Sequence, residues 1–327
     1  MPTYGARRSV SQIEEVSLRP PIRYAYLVAT SYSGTTLLSM LLDSHPAIVS
    51  VGELDNTISD AIKAGRYAEY PCSCGAPIRA CSFFHTVEQH CARQGVKLDV
   101  HDFRVRLGHS MGRNVRRSLF GLPARLLWLV QIRNALLNQI PQYRRHVDHV
   151  FDRNIAIARA VIDVSGKDVF LDASKAVARV PYLHCRPEVD LRVVHIVRDV
   201  RATVWSSWRR GLTRTDRVAR SWARIHANAL RLAWLVGEDR YFRFRWEDFC
   251  TDPEERLDSI CRFLGVKPTG LMARVNMQPH HVIGNRMRLN PVGSIRSQDG
   301  WREEITSEQL AVCERAAGGL NRLFGYH

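Results

Sequence analysis

Short apolar runs, each stopped by a turn or a charge, alternate along this chain with stretches whose apolar residues recur every three to four positions. Residues 24–30 are the first such run and predict a buried strand; residues 35–44, opening directly on a Ser-Gly-Thr-Thr turn, predict the helix after it. A second short strand is expected to end at Val51-Gly52-Glu53. Residues 168–172, 191–197 and 240–245 read as further strands, and near-continuous apolar runs of this kind belong to a parallel sheet covered on both faces. Between them lie helical periods. Phe151, Ile155, Ala158 and Ile162 share one face, as do Val218, Trp222, Ile225, Ala229 and Leu232. Strands alternating with helices predict an α/β fold with a doubly wound parallel sheet.

The region of about 56–165 shows no clear strand and reads as a mostly helical inserted lid. Its arginines (Arg104, Arg106, Arg113, Arg116, Arg117, Arg125 and Arg133) are expected to lie on a solvated face. Residues 1–22 are expected to form a loose arm and residues 23–327 a single domain, a length sufficient for one sizeable core.

Chemistry concentrates at the ends of two predicted strands. The turn after the first carries Tyr32, Ser33, Gly34, Thr35 and Thr36, and the helix begins on it at once. Unpaired N–H groups and the positive end of the helix dipole suit a phosphate there. An ATP-binding loop needs Gly-x-x-x-x-Gly-Lys-Ser/Thr, whereas here a single glycine stands without a following lysine. The run 191–197 ends at Arg198, and Ser206 follows two helical turns on, so guanidinium and hydroxyl converge on a second anion site. Two such sites at one sheet edge call for a ligand with two separated phosphates.

In these two segments the chain resembles the sulfotransferases that use 3′-phosphoadenosine 5′-phosphosulfate (PAPS), specifically the tyrosylprotein and carbohydrate branch. The first segment is similar to their 5′-phosphosulfate loop. The second is similar to their 3′-phosphate motif, strand–Arg–Asp–x–Arg with a serine eight residues after the first arginine. The resemblance implies a P-loop-like sheet and in-line sulfuryl transfer to a hydroxyl acceptor on a sugar, lipid, tyrosine or small natural product, with no metal required. It implies that Glu53 is the base and that Lys175 reaches the oxygen bridging phosphate and sulfate. A carboxylate capping the helix expected over residues 54–61 is the alternative for Glu53, and a surface lysine closing a strand is that for Lys175. Trp246 replaces the tyrosine of a Tyr-Glu-Asp-Leu segment and serves either adenine or the core. Asn285, Arg286 and Arg288, with Gly300-Trp301-Arg302, resemble the loop closing over the 3′-phosphate.

One position departs from the pattern: relatives place Lys or Arg before the turn, and here stands Tyr32, neutral at pH 7. Lys175 then becomes the main cation at the transferring group, or the chain is slow, uses another donor or only binds. An ATP-dependent kinase and a non-catalytic anion-binding protein are the competing functions.

A net charge of +15 fits anionic ligands, while no nucleic-acid motif is present. The longest apolar stretch, 122–137, is interrupted by Arg125 and Arg133, so no membrane span is expected, and the lack of an export signal favours the cytoplasm. Cys72, Cys74, Cys81, His85 and Cys91 crowd one segment. Cys-x-Cys with a third cysteine seven residues on is not a usual zinc spacing, and the segment resembles one in bacterial sulfotransferases that need no metal. No metal ligand is assigned; reduced thiols shaping the lid, or an occasional disulfide, are expected ahead of structural zinc, for which four N/S ligands could be assembled.

Overall fold

The computed structural model describes residues 19–327 except 56–57, 64, 66, 107–135, 138, 212–213, 271–274, 277–278, 294 and 298. The arm up to residue 18, and Arg113, Arg116, Arg117, Arg125 and Arg133, lie outside the described residues.

Five strands form one parallel sheet: β1 (Ile22–Val28), β2 (Ile48–Gly52), β3 (Val169–Lys175), β4 (Val189–Val197) and β5 (Tyr241–Arg245), in the order β2-β3-β1-β4-β5. This is the P-loop-like α/β architecture. The chain leaves β1 for the β2 edge, returns to β3 and then crosses to β4, so the order reverses at β1. Ligands of open parallel sheets bind at such a reversal, outside the carboxyl ends of the strands.

The first strand starts and stops two residues earlier than its apolar run, because Ala29 and Thr30 already turn away from the ladder. Both sheet faces are covered. Tyr24, Tyr26 and Val28 enter one core, while Ala25 and Leu27 enter the other, which is why β1 reads as an uninterrupted apolar run.

Helix α1 (Thr35–Asp43) is buried at every position. In chain order follow α2 (Ile58–Lys63), α3 (Ser82–Arg93) and α4 (Pro141–Ser165) between β2 and β3. Pro141 opens α4 and Gly166, in the left-handed conformation at φ 67°, ends it. Helices α5 (Val200–Trp208) and α6 (Thr215–Val236) connect β4 to β5. Helices α7 (Trp246–Thr251), α8 (Pro253–Phe263) and α9 (Ser307–Leu323) complete the chain. The faces read from the helical periods are the inward ones: Phe151, Ile155 and Ala158 of α4 and Trp222, Ala229 and Leu232 of α6 are buried. Among the described residues no helix is long and apolar enough to cross a membrane.

Candidate active site

The carboxyl ends of all five strands face one cleft of about 430 Å³, a size usual for small-molecule sites. Its wall includes Tyr32, Gly34, Thr35, Thr36, Glu53 and Lys175. Arg198, Arg210, Trp246, Asn285 and Arg296 also line it.

The turn between β1 and α1 is shaped by two left-handed residues, Tyr32 at φ 66° and Gly34 at φ 78°. Gly34 is required twice over. Besides its φ, a Cβ placed there would lie 2.1 Å from Trp246 Cζ3, so only a glycine lets the indole pack under the loop. Trp246 is 7% exposed and stacks on Phe249 at 5.0 Å. It is a core residue with an edge in the cleft. Ser33 is fully buried and its hydroxyl shares a 2.8 Å hydrogen bond with that of Thr30, which pins the turn to the end of β1. Gly34 makes no side-chain cap and no acidic residue occupies the first turn of α1, so the N–H groups at this helix start remain available to an anion.

Lys175 ends β3 at φ 68°, a second non-glycine residue in the left-handed region. Such conformations cost of order 1–3 kcal/mol each and persist only where the surroundings dictate them. Beneath it Asp172 does so. Its carboxylate accepts from Tyr24 Oη at 2.8 Å, from Arg179 at 3.3 Å and from the Ser174 amide at 2.9 Å, all buried. The Lys175 ammonium forms an ion pair with Glu53 across the cleft floor, and both side chains are less than a fifth exposed. Glu53 follows β2 directly, and its amide donates to the Ile283 carbonyl at 3.0 Å. Among the described residues helix α2 runs over Ile58–Lys63, and the Glu53 carboxylate is engaged with Lys175. Nearby, burial pushes the Asp55 carboxyl up to about 6, with Arg179 opposing and Asp172 adding to the rise.

Arg198 follows β4 and is 5% exposed. It donates to the Tyr32 carbonyl at 2.6 Å, tying the β4 end to the first turn, and burial lowers its pKa. Trp222 Nε1 holds the Arg198 carbonyl at 2.8 Å, and Asp199 caps α5 by accepting from the Arg201 amide at 2.8 Å. Ser206 on α5 is 2% exposed, and its hydroxyl has no hydrogen-bond partner among the described residues. A buried hydroxyl left in this state costs about 1–3 kcal/mol, which a ligand oxygen would relieve.

Two cleft arginines escaped the sequence reading. Arg210, just past α5, places its guanidinium 4.7 Å from the Tyr32 ring centre and donates to the Ser206 carbonyl at 3.1 Å. It brings a cation to the position where the loop itself has a neutral tyrosine. Its place in Trp-Arg-Arg after the Arg198 motif was the available signal. Arg296 carries no motif that would have marked it.

The C-terminal arginines are used differently from the expectation. Arg288 is 1% exposed and donates to the carbonyls of Gly284, Asn285 and Pro71 at 2.8, 3.1 and 2.7 Å, with Tyr70 stacked at 4.4 Å. Its two terminal amino groups brace the loop, its Nε has no partner among the described residues, and it is not part of the cleft wall. Arg286 is exposed and lies 5.8 Å from the Tyr67 ring, outside the cleft wall. Of the three, Asn285 reaches the cleft. Trp301 sits between Arg201 and Arg302, each at 4.6 Å, and with Arg302 lines a neighbouring cavity.

Cys72, Cys74 and Cys81, expected to shape the lid with zinc as an alternative, are brought together with His281, two hundred residues further along the chain; His85 and Cys91 are not in the group.

Fold and cleft together define a P-loop-like α/β protein whose strand ends gather basic and hydroxyl groups around one carboxylate. Residues 189–269, which span β4 to α8, match the model of the sulfotransferase family. Human carbohydrate sulfotransferase 3 is 28% identical over 169 residues, covering 43% of this chain and 34% of the relative's length. Over these segments the chain is similar to the sulfotransferase family. Among solved structures, sulfotransferase STF9 from Mycobacterium avium superposes with a TM-score of 0.52 at 13% identity, covering 97% of this chain and 81% of that one. The sulfotransferase domain of the Synechococcus olefin synthase gives 0.46 at 18% identity, covering 95% and 97%.

Proposed function

We propose that the chain transfers a sulfuryl group from PAPS to a hydroxyl acceptor. The observation that carries this reading is one cleft at the strand ends lined by the α1 turn, Arg198, Lys175 and Glu53, with the buried Ser206 hydroxyl left without a partner among the described residues on the helix that follows Arg198. PAPS presents a phosphosulfate and a 3′-phosphate on one ribose, which matches two sites better than the single polyphosphate of ATP. The residues fit it on three counts: free N–H groups at the α1 start, an unpartnered buried hydroxyl, and basic side chains not all committed to carboxylates.

In this reading the α1 N–H groups, Thr35 and Thr36 hold the 5′-phosphate. Arg198 and Ser206 hold the 3′-phosphate, and the edge of Trp246 meets the adenine. Lys175 leaves Glu53 for the bridging oxygen. Glu53, released, takes the acceptor proton as the acceptor oxygen bonds to sulfur and the bond from sulfur to the bridging oxygen breaks. The charge left on that oxygen is held by Lys175 and the turn, with Arg210 adding a cation. The acceptor is a hydroxyl compound, with carbohydrate favoured by the human relative's name.

Calorimetric titration with 3′-phosphoadenosine 5′-phosphate, beside ATP with magnesium, tests the donor, and transfer of labelled sulfate from PAPS to a panel of glycans, lipids and phenols tests the reaction. Metal-independent binding of the bisphosphate is expected. A preference for magnesium–ATP would overturn the proposal.

A further inference from the structure

The strongest feature that the donor cleft does not use is the group formed by Cys72, Cys74, Cys81 and His281, whose Sγ and imidazole nitrogen atoms all lie within 4.8 Å of one another. Cys74 Sγ is 3.8 Å from Cys81 Sγ, Cys72 Sγ is 3.7 Å from His281 Nδ1, and Cys81 Sγ is 3.2 Å from the same nitrogen. A tetrahedral zinc ion with Zn–S of about 2.3 Å and Zn–N of about 2.0–2.1 Å spaces its ligands at roughly 3.8 Å between sulfurs and roughly 3.6 Å between sulfur and nitrogen. The Cys74–Cys81 and Cys72–His281 separations fall on the edges of that tetrahedron, the Cys81–His281 separation is about 0.4 Å shorter, and the remaining ones lie within 4.8 Å. The 3.8 Å between the Cys74 and Cys81 sulfurs is far beyond the roughly 2.05 Å of a disulfide. We propose that these four residues form a structural Cys₃His zinc site.

The surroundings are built for it. The Cys72 amide donates to Ala76 and the Gly75 amide to Cys72, at 2.8 and 3.0 Å, which folds Cys-Ser-Cys-Gly into a tight knuckle; Gly75 supplies φ 93°. Ser73 Oγ donates to the His280 carbonyl at 2.6 Å and accepts from the Val282 amide at 2.8 Å, so the residue between two ligands grips the backbone on either side of the fourth. The His281 ring is fixed by stacking on Phe83 at 4.4 Å and 6°. All four ligands are soft or imidazole donors, the set that zinc selects. Four protein ligands close the coordination sphere, as in structural rather than catalytic sites.

The site does not depend on the sulfotransfer reading, but it bears on the cleft. Ile283, two residues after the ligand, exchanges backbone bonds with Val51 and Glu53 at 2.8 and 3.0 Å, and Gly284 and Asn285 then enter the cleft wall. A metal here rivets the 70–81 hairpin to the strand that positions Glu53.

The test uses the full chain, purified reduced and without chelator. Elemental analysis should find one zinc per chain, and cobalt substitution should give the intense sulfur-to-cobalt charge-transfer and d–d bands of a tetrahedral thiolate site. Cys74→Ser and His281→Ala should lose the metal while His281→Cys keeps it with a shifted cobalt spectrum. Stripping the metal should raise amide exchange at Glu53 and Ile283 on the order of tenfold. A wild-type chain that takes up neither zinc nor tetrahedral cobalt overturns the proposal, whatever the variants do. So does full zinc retention in a folded Cys74→Ser chain, or a disulfide between any two of the three cysteines as the native state.

Discussion

Replacing Arg198 by methionine separates binding from stability in a way that only a ligand-directed residue allows. Its guanidinium is 5% exposed, and it donates to a neutral carbonyl, that of Tyr32, with Glu247 helping and Arg210 opposing from a distance. Burial already works against its charge in the ligand-free protein. Removing the charge relieves a desolvation cost and gives up one charged hydrogen bond of about 1.5–3 kcal/mol, two effects of opposite sign and similar size. Arg198→Met should therefore unfold in urea within about 1 kcal/mol of the parent. Its affinity for the bisphosphate should fall by about 2–3 kcal/mol, on the order of 30- to 150-fold, because a charge-assisted phosphate contact is lost outright. Paired calorimetric and denaturation titrations on the same preparations measure both. Binding unchanged within about threefold, under 1 kcal/mol, would show that Arg198 is not at the phosphate. A loss of stability of about 3 kcal/mol or more would show that it is a structural brace.

Glu53→Gln should lower turnover by about 10²–10⁴-fold while leaving bisphosphate affinity within a few-fold, the pattern of a lost base; equal losses in binding would refute the assignment. Arg210→Ala should weaken bisphosphate binding by about 1 kcal/mol, roughly fivefold, and adding Tyr32→Lys should restore it if Arg210 supplies the cation that the loop lacks. His195 and His226 are buried against each other at 2.8 Å, and burial holds the first well below its ordinary pKa and the second at about 3. The unfolded chain therefore binds more protons than the folded one below about pH 6.5, so stability should fall with acidification by up to about 1.4 kcal/mol per pH unit for each histidine. Urea titrations between about pH 6 and 7.5, above the range in which Asp55 takes up its proton in the folded chain and opposes the trend, should show this slope, and His226→Gln should reduce it; a slope unchanged in His226→Gln would mean that His226 is not buried neutral.

The sheet was legible because its strands are buried on both faces and so read as apolar runs, and because Gly34, Arg198 and Lys175 sit where those runs stop. Local pattern does not report which donors are consumed elsewhere. Arg288 looks in sequence like a phosphate ligand, yet its two terminal amino groups donate to the carbonyls of Gly284, Asn285 and Pro71 and it is absent from the cleft wall. Gly284 beside it does line the cleft, where a Cβ would lie 3.2 Å from Thr36 Oγ1 and 3.6 Å from Glu53 Oε1, while its backbone bonds the Tyr70 hydroxyl at 3.1 Å. The cysteine spacing looked wrong for zinc because the fourth donor comes from His281, whose nearness depends on Ile283 pairing with β2. Contacts between segments so far apart follow from the fold and leave no period in the chain.

In the proposed transfer, the Lys175–Glu53 ion pair also carries a kinetic consequence. With the ammonium on the carboxylate, an acceptor arriving first finds its base already occupied, and water in the cleft finds it occupied too. Donor binding gives Lys175 a better partner and frees the carboxylate at the moment a sulfuryl group is present to be moved. The pair thus imposes an order of addition, donor before acceptor, on a cleft that is open to both.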